Sequence, residues 1–379
     1  MKIDKAFPPN FSVFCSQQQS DNVDSPCFFL TPSWFQPYLE EWSPKNYWGL
    51  ATIVEQGGEY AAFLSEGIQH SRLGLKYKSI GFNEATDPLV QNLTVEFNGF
   101  LPLQSKSSGT SLAPPIFERC FSTFLKGICL NVSWDELRLS GLDTTDAKDA
   151  AAIAKRSGLI STVVNERLTY SVDLELIRNR FNSDYISSRS SNTRAQLRKS
   201  KRAIENTLGL IRIESAPSLE CAQSWLTDLG VLHANQWNTS AAIEGFNNPR
   251  FVDFHRKALT RMWPEGKAYI LRISAGNAHL AYLHYFVVDR RAYFNMSGIN
   301  YKERGAAQPG LIAHWLAIDF FMQKQLKIYD FMAGTYRYKE SLSTHSFAQK
   351  HILIRRRRWF FILEDVLRNL KLGVYKRIV

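Results

Sequence analysis

The stretch that decides the fold runs Arg291-Ala-Tyr-Phe-Asn-Met-Ser-Gly298, then Asn300-Tyr-Lys-Glu-Arg-Gly-Ala-Ala-Gln-Pro-Gly310, then Leu311 to Gln325, then Lys327-Ile-Tyr-Asp-Phe-Met332. It reads as strand, loop, apolar helix and strand, the crossover that joins two parallel strands of one sheet. Pro309 suits a helix start, because its missing N–H would be unpaired there anyway. The loop ahead of it is rich in small residues, so backbone N–H groups and the positive end of the helix can approach an anion. Arg304, Gly305, Ala306, Gln308, Pro309 and Gly310 are therefore candidates to hold a phosphorylated ligand. A plain strand-to-helix turn that uses Gly and Pro to change direction is the other reading.

Outward from this core, the pattern predicts helices over about 194–206, 218–237 and 249–262, a strand over 210–214, and a hairpin over 268–288 about Gly276-Asn277. With the crossover, these make a mixed α/β sheet. Beyond Met332 comes Ala333-Gly334-Thr335-Tyr336-Arg337-Tyr338-Lys339, a glycine turn with cations and tyrosines at a strand's carboxyl end, where open α/β sheets place ligands. Asp330 alternates with apolar neighbours, so burial would raise its pKa and suit it to proton transfer; a carboxylate that fixes a nearby Lys or Arg is equally consistent. Arg337 and Lys339 can neutralise phosphate or developing negative charge, or form a solvated pair. His284 shares a strand face with Tyr282 and Phe286, and His279 falls on the opposite face by its odd spacing; His284 reads as a hydrogen-bonding core histidine or as a base. Arg194 and Arg198 lie along one helix face with Lys201 or Arg202, which suits a bound anion or a charged solvent face.

The first half repeats this grammar. A Trp-containing helix over 32–42 precedes two strand runs, 48–54 and 60–64, about Gly57-Gly58, which predicts two related α/β domains. The polar segment Asn182 to Thr193 reads as a linker ending on a helix N-cap, and sets the domains at 1–185 and 186–379. Gln104 to Ser111 reads as a surface loop. Residues 1–189 hold 17 Lys+Arg and 21 Asp+Glu, net −4, whereas residues 190–379 hold 29 and 14, net +15, within the total of +11. The basic half can attract phosphates on a cofactor, a tRNA or an anionic membrane. At the end, Arg355-Arg-Arg-Arg358-Trp359 follows Ile352-Leu-Ile354, which reads as a packed strand with a basic surface ahead of a membrane anchor.

With 45% hydrophobic and 21% charged residues, the chain is a folded protein rather than a disordered one. Its longest apolar stretch, Gly310 to Met322, carries His314 and Asp319 and is too short to span a bilayer. The start lacks a signal-peptide pattern, so a cytoplasmic location is expected. Five cysteines without CxxC spacing support neither a disulfide framework nor a zinc ribbon, and no metal is expected. Walker, GxGxxG, GxSxG and HExxH motifs are absent.

Thr193-Arg194-x-x-x-Arg198-Lys199, Trp237, Phe251, Ala281, Gln308-Pro309-Gly310-Leu311 and Asp330-Phe331-x-x-Gly334-x-x-x-Tyr338-Lys339 together resemble the GNAT-like acyltransferases. The CelD-like and FemAB-like group of bacterial envelope and exopolysaccharide neighbourhoods is the nearest branch. The resemblance covers residues 190–345 and implies tandem GNAT-like domains, mixed twisted sheets flanked by helices, with a degenerate N-terminal copy. It implies transfer of an acyl group from acyl-CoA to an amine or hydroxyl of a small-molecule, lipid-linked or nucleotide-linked sugar. Arg304 to Gly310 would then hold the donor pyrophosphate. Asp330, Lys339, His284 and Tyr336 would be catalytic, and Arg337, Tyr338, Arg194 and Arg198 would bind substrate. FemAB-like transfer from aminoacyl-tRNA and a non-catalytic binding role are the alternatives. Contact with an anionic membrane at the inner face is consistent with the charge, and no DNA partner is expected. Two positions depart from the family pattern: the loop glycines are out of register, and Thr335 stands where an acidic residue is common.

Overall fold

Apolar runs broken by tight turns become the strands of a mixed β-sheet. A computed structural model describes residues 1–4, 28–41, 47–55, 58–86, 96–105, 116–237, 245–302, 307–364 and 366. In chain order the elements are β1 (Lys2–Asp4), α1 (Pro32–Glu41), β2 (Tyr47–Glu55), β3 (Gly58–His70), β4 (Lys76–Phe82), β5 (Leu101–Ser105), α2 (Ile116–Asn131), β6 (Glu136–Asp143), α3 (Thr144–Arg156), β7 (Ile160–Asp173) and α4 (Leu174–Phe181). They continue with α5 (Ser191–Leu208), β8 (Ile211–Ser215), α6 (Leu219–Trp237), α7 (Pro249–Met262), β9 (Ala268–Ala275), β10 (Ala278–Val288), β11 (Arg291–Ile299), α8 (Pro309–Gln323), β12 (Ile328–Ala333), α9 (Arg337–Leu342) and β13 (His345–Arg355).

Two compact units form: residues 1–166 with 349–379, and residues 167–348. In the first, the strand order is β1-β2-β3-β4-β6-β13, with β5 against β3. The ladders are antiparallel except for the parallel pair β4 and β6. In the second, the order is β8-β9-β10-β11-β12-β7, again antiparallel except for the parallel pair β11 and β12. Order and direction match position by position, so one topology occurs twice. The sixth strand of each order comes from the other half of the sequence, β13 in the first unit and β7 in the second. That exchange is why the compact units divide differently from 1–185 and 186–379.

Local chemistry accounts for the helices. On α2, Cys120, Phe121, Phe124, Leu125 and Ile128 form one buried stripe, which packs into the core with Ile53, Phe82, Leu139 and Ile354. Asp143 caps α3 by accepting from Thr145 N at 2.7 Å and Asp146 N at 2.8 Å. In the second unit, α4, α5 and α8 share a core with Leu271, Leu283, Tyr285 and Tyr329, and α6 packs on β9, β10 and β11. The β9–β10 turn needs Gly276, whose φ is 52°.

Two sequence expectations change. The polar segment 182–193 is internal to the second unit: Tyr185 is buried and its hydroxyl donates to Leu342 O at 2.6 Å, while Ser190 caps α5. Ser and Asn outnumber the two apolar residues that anchor it. The spacing of His279 and His284 does not hold opposite faces, because a register shift between His279 and Ala281 interrupts the alternation and sets His279 6.0 Å from Tyr282. The expected loop at Gln104 to Ser111 lies outside the described residues beyond Ser105.

The arginine run belongs to the first unit. Arg355 pairs with buried Glu136 at 2.7 Å, Arg356 donates to Cys129 O at 3.1 Å, Arg357 to Gly158 O at 3.2 Å and Arg358 to Asp135 at 2.7 Å. Ile352 and Ile354 are buried beside them. Among the described residues, no helix is long and apolar enough to cross a membrane.

Candidate active site

The parallel strands β11 and β12 are paired only at Arg291–Ile328, Ala292–Tyr329 and Tyr293–Asp330. Beyond that point β11 stays with β10 as far as Ile299, and β12 stays with β7 as far as Ala333. Each strand bends where they part. In β11 the register slips between His284 and Tyr285 of its neighbour, leaving Asn295 as the extra residue of a bulge. In β12 the register slips between Asp330 and Ala333, and Met332 takes a left-handed φ of 63°. The opening is a cavity of about 880 Å³, lined by Asn295, Ser297, Gly310, His314, Tyr336 and Lys339 among others.

A left-handed methionine is strained by roughly 1–3 kcal/mol and persists only where its surroundings over-determine it. Two charged side chains do so here. Asp330 Oδ1 accepts from Met332 N at 2.8 Å, and its Oδ2 lies 3.4 Å from Arg291 Nη1. Lys339 Nζ donates to the carbonyls of Phe331 at 2.7 Å, Met332 at 3.3 Å and Ala333 at 2.7 Å. Its three protons thus meet the last three carbonyls of β12, and the side chain is 5% exposed. Gly334, at φ 132°, lets this happen, since a Cβ there would stand 3.2 Å from Lys339 Nζ. Burial pushes the Asp330 carboxyl up to about 6, opposed by Arg291, by the Met332 N–H and by Lys339.

Histidines and tyrosines make the wall behind. His314 of α8 has Nδ1 2.7 Å from Tyr329 Oη, which is 2.7 Å from Tyr285 Oη. Its ring stacks on Tyr338 at 5.1 Å and meets Phe294 edge-on at 4.6 Å. Burial, with Lys339 second, lowers His314 to about 3. The Asn295 amide bridges His284 Nδ1 at 3.2 Å and His255 Nδ1 at 3.3 Å. Burial lowers His284 to about 3, and its Nε2 is buried without a hydrogen bond. His233 of α6 donates from Nδ1 to Ser297 O at 3.0 Å and also lines the cavity.

Of the residues chosen from sequence, Gln308, Gly310, Tyr336, Tyr338 and Lys339 come together at this cavity. Pro309 opens α8 and is buried. Asp330 and His284 lie behind the wall; Asp330 acts on the backbone of β12, and His284 reaches the cavity through Asn295. Arg337 points elsewhere, to a second cavity of about 680 Å³ that it shares with Arg180, Arg189 and His345. The short helix α9 separates it from Lys339, because neighbouring helical residues diverge by about 100°. Arg194 donates to Arg189 O at 2.7 Å, and Arg198 is exposed on α5; neither lines the 880 Å³ cavity. Arg304, Gly305 and Ala306 lie outside the described residues. Among the described residues, no group of three or more His, Cys, Asp and Glu side chains is placed to hold a metal.

His314, Asn295, His233 and the Tyr285–Tyr329 pair are not evident from sequence. His314 had one signal: it is a polar residue in a helix that is apolar on every side, so its nitrogens need buried partners.

The parallel strands of the first unit also part. There β4 and β6 are paired from Ser79–Glu136 to Gly81–Arg138 and then part, and Gly141 takes φ 71° much as Met332 does. Asn98 stands between them, with its backbone N donating to Gly141 O at 2.9 Å and its side-chain Nδ2 to Phe82 O at 3.0 Å. Asn83 Nδ2 donates in turn to Asn98 Oδ1 at 3.0 Å.

Residues 191–340 match the family described as "Acetyltransferase (GNAT) domain". No curated protein matches the chain. Among solved structures it resembles FemX with TM-score 0.56 and 8% identity, covering 93% of this chain and 97% of that one. It resembles the C-terminal domain of a putative lysylphosphatidylglycerol synthetase from Agrobacterium fabrum with TM-score 0.51 and 8% identity, covering 96% of each. A conserved protein of unknown function from Bacteroides thetaiotaomicron VPI-5482 gives TM-score 0.52 and 9% identity, covering 94% of this chain and all of that one. At such identities the likeness is one of fold. The chain is a mixed α/β protein in which one topology occurs twice, and its second copy carries the match to the acetyltransferase (GNAT) domain family.

Proposed function

We propose that the second unit is an acyltransferase that moves an acyl group from acyl-CoA to an amine or hydroxyl of a sugar or cell-envelope precursor. The observation that carries this reading is the parting of β11 and β12 over a cavity of about 880 Å³, within the segment that matches an acetyltransferase domain. That volume is in the range of small-molecule sites. The residues present suit a thioester: Phe294, Ile299 and Leu311 give an apolar lining, and the positive end of α8 opens on the cavity at Gln308 and Gly310. The donor supplies an activated carbonyl carbon and a thiolate leaving group.

Lys339 and Asp330 position the end of β12, and Asn295 carries the buried histidine pair to the cavity. Tyr336, which lines the cavity and is 47% exposed, is the candidate acceptor base at the surface of the site. The first unit is taken as a degenerate copy, whose parted strands are tied through Asn98. Transfer from aminoacyl-tRNA, which the FemAB-like resemblance implies, is the second reading; Arg198, Lys199 and Arg202, exposed on α5, favour it. A cytoplasmic protein working at the inner membrane face is consistent with either.

The test is thermal unfolding with acetyl-CoA, longer acyl-CoAs, free CoA and bulk tRNA at low and high salt. A ligand of the native state raises stability by about RT ln(1 + [L]/Kd). A salt-resistant shift with an acyl-CoA is expected. A shift with tRNA alone, lost in salt, moves the function to aminoacyl transfer, and no shift with either leaves a binding role.

A further inference from the structure

Three polar groups stand in line behind the cavity: Tyr285 Oη, Tyr329 Oη and His314 Nδ1, each 2.7 Å from the next. Both tyrosines are 0% exposed and His314 is 3% exposed. Their protons can be assigned by counting. Burial raises both phenols well above 10, so each carries one proton, and the imidazole is neutral. Suppose Nδ1 held the imidazole proton. It would donate to Tyr329, Tyr329 would donate to Tyr285, and the Tyr285 proton would have no acceptor among the described residues. Leaving a buried donor without an acceptor is unfavourable, because it loses its bond to water and gains none in the protein. In the reverse order Tyr285 donates to Tyr329, Tyr329 donates to Nδ1, and both buried phenol protons are used. The imidazole proton then sits on Nε2, the nitrogen without a hydrogen bond to any described residue, on a side chain that lines the cavity.

We propose that His314 is a further catalytic residue, which presents Nε2–H as a fixed hydrogen-bond donor to the carbonyl oxygen of the acyl group. The proposal rests on the acyl-transfer reading. The acceptor lone pair forms a bond to the carbonyl carbon and the π pair moves to oxygen. His314 stabilises that oxyanion and keeps its own proton. The pair then returns, the C–S bond breaks and the thiolate leaves with its electrons; the acceptor proton goes to the base. A neutral imidazole held this way acts as an electrophile rather than as a base. Tyr329 and Tyr285 are positioning residues, because they choose the tautomer. Stacking on Tyr338 fixes the ring plane, and Lys339 from α9 further disfavours a charged ring.

The test has two arms. In protein labelled with 15N-histidine, long-range 1H–15N correlations, assigned with His314→Asn, should report the Nε2–H tautomer of His314 without titration between pH 5 and 8. Tyr329→Phe should shift it toward Nδ1–H. An Nδ1–H tautomer in the parent protein, or titration near 6.5, overturns the donor argument whatever the reaction. In the second arm, CoA release from acetyl-, succinyl- and palmitoyl-CoA is followed with glucosamine as acceptor. His314→Phe should lower kcat about 100–1000-fold, the usual cost of one oxyanion donor, with little change in KM. His314→Gln, which keeps an N–H, should recover part of it. Unchanged kcat in a folded His314→Phe protein overturns the catalytic role. No turnover of any thioester by the parent removes the acyl-transfer reading and the catalytic role with it, while the tautomer stays decided by the first arm.

Discussion

Replacing Lys339 by Met separates two roles, an ammonium for the ligand and an ammonium for the fold. Methionine keeps the length and the apolar stem and removes the three donors. Two of the lost bonds are 2.7 Å long and one is 3.3 Å, all to carbonyls of β12. A hydrogen bond to a charged group contributes about 1.5–3 kcal/mol, and these three share one ammonium, so they do not add. Counting the two short ones gives a loss of roughly 3–5 kcal/mol, against a typical total of about 5–15 kcal/mol. For a unit of this size that is a fall of roughly 6–20 °C in melting temperature. The assay is urea and thermal unfolding of Lys339→Met and Lys339→Arg, followed by far-UV circular dichroism. A loss below about 1 kcal/mol, with acyl-CoA binding abolished, would refute the clamp and return Lys339 to the ligand.

Three further outcomes are expected. Asp330 has a folded pKa raised to about 6, so the native state holds the proton more tightly than the unfolded chain; its contribution is complete below about pH 4 and is lost as pH rises through about 6. Unfolding free energies at pH 4, 5, 6 and 7 should therefore slope less in Asp330→Asn than in the parent, and equal slopes would contradict the burial argument. Asn98→Ala should destabilise the first unit by about 1–3 kcal/mol by stranding the Phe82 carbonyl, and leave transfer activity intact; lost activity would mean the first unit takes part in catalysis. Arg355→Met should cost about 3–5 kcal/mol by leaving Glu136 buried without its partner, whereas a loss of membrane or tRNA binding with unchanged stability would make the arginine run a docking surface.

Much of the second unit was legible. Pro249 to Met262 follows the expected helix to the residue, because Asn248 caps it and its apolar positions recur at helical spacing. The hairpin and crossover follow from a glycine turn at Gly276 and a proline start at Pro309. Lys339, Tyr338, Tyr336 and Gly310 line one cavity, since a strand end and a helix start converge in such a crossover. The division of the chain was not legible, because a strand's sequence does not say which unit it will join. β13 and β7 have ordinary apolar patterns that either unit could accept.

Local spacing by itself pointed to the α/β class and to one grammar used twice, since burial of apolar faces depends on that spacing. Tertiary structure decided what each polar side chain does. Arg337 and Lys339 are two residues apart, yet one lines a second cavity and the other closes the end of β12. Four consecutive arginines, read from sequence as the basic surface of a packed strand, each meet a partner in the first unit. His314 of α8 meets the Tyr329 phenol of β12, which meets that of Tyr285 of β10 in turn. Hydrogen bonds and charges act through directions and distances of a few ångströms, and those come into being only when distant segments of the chain meet.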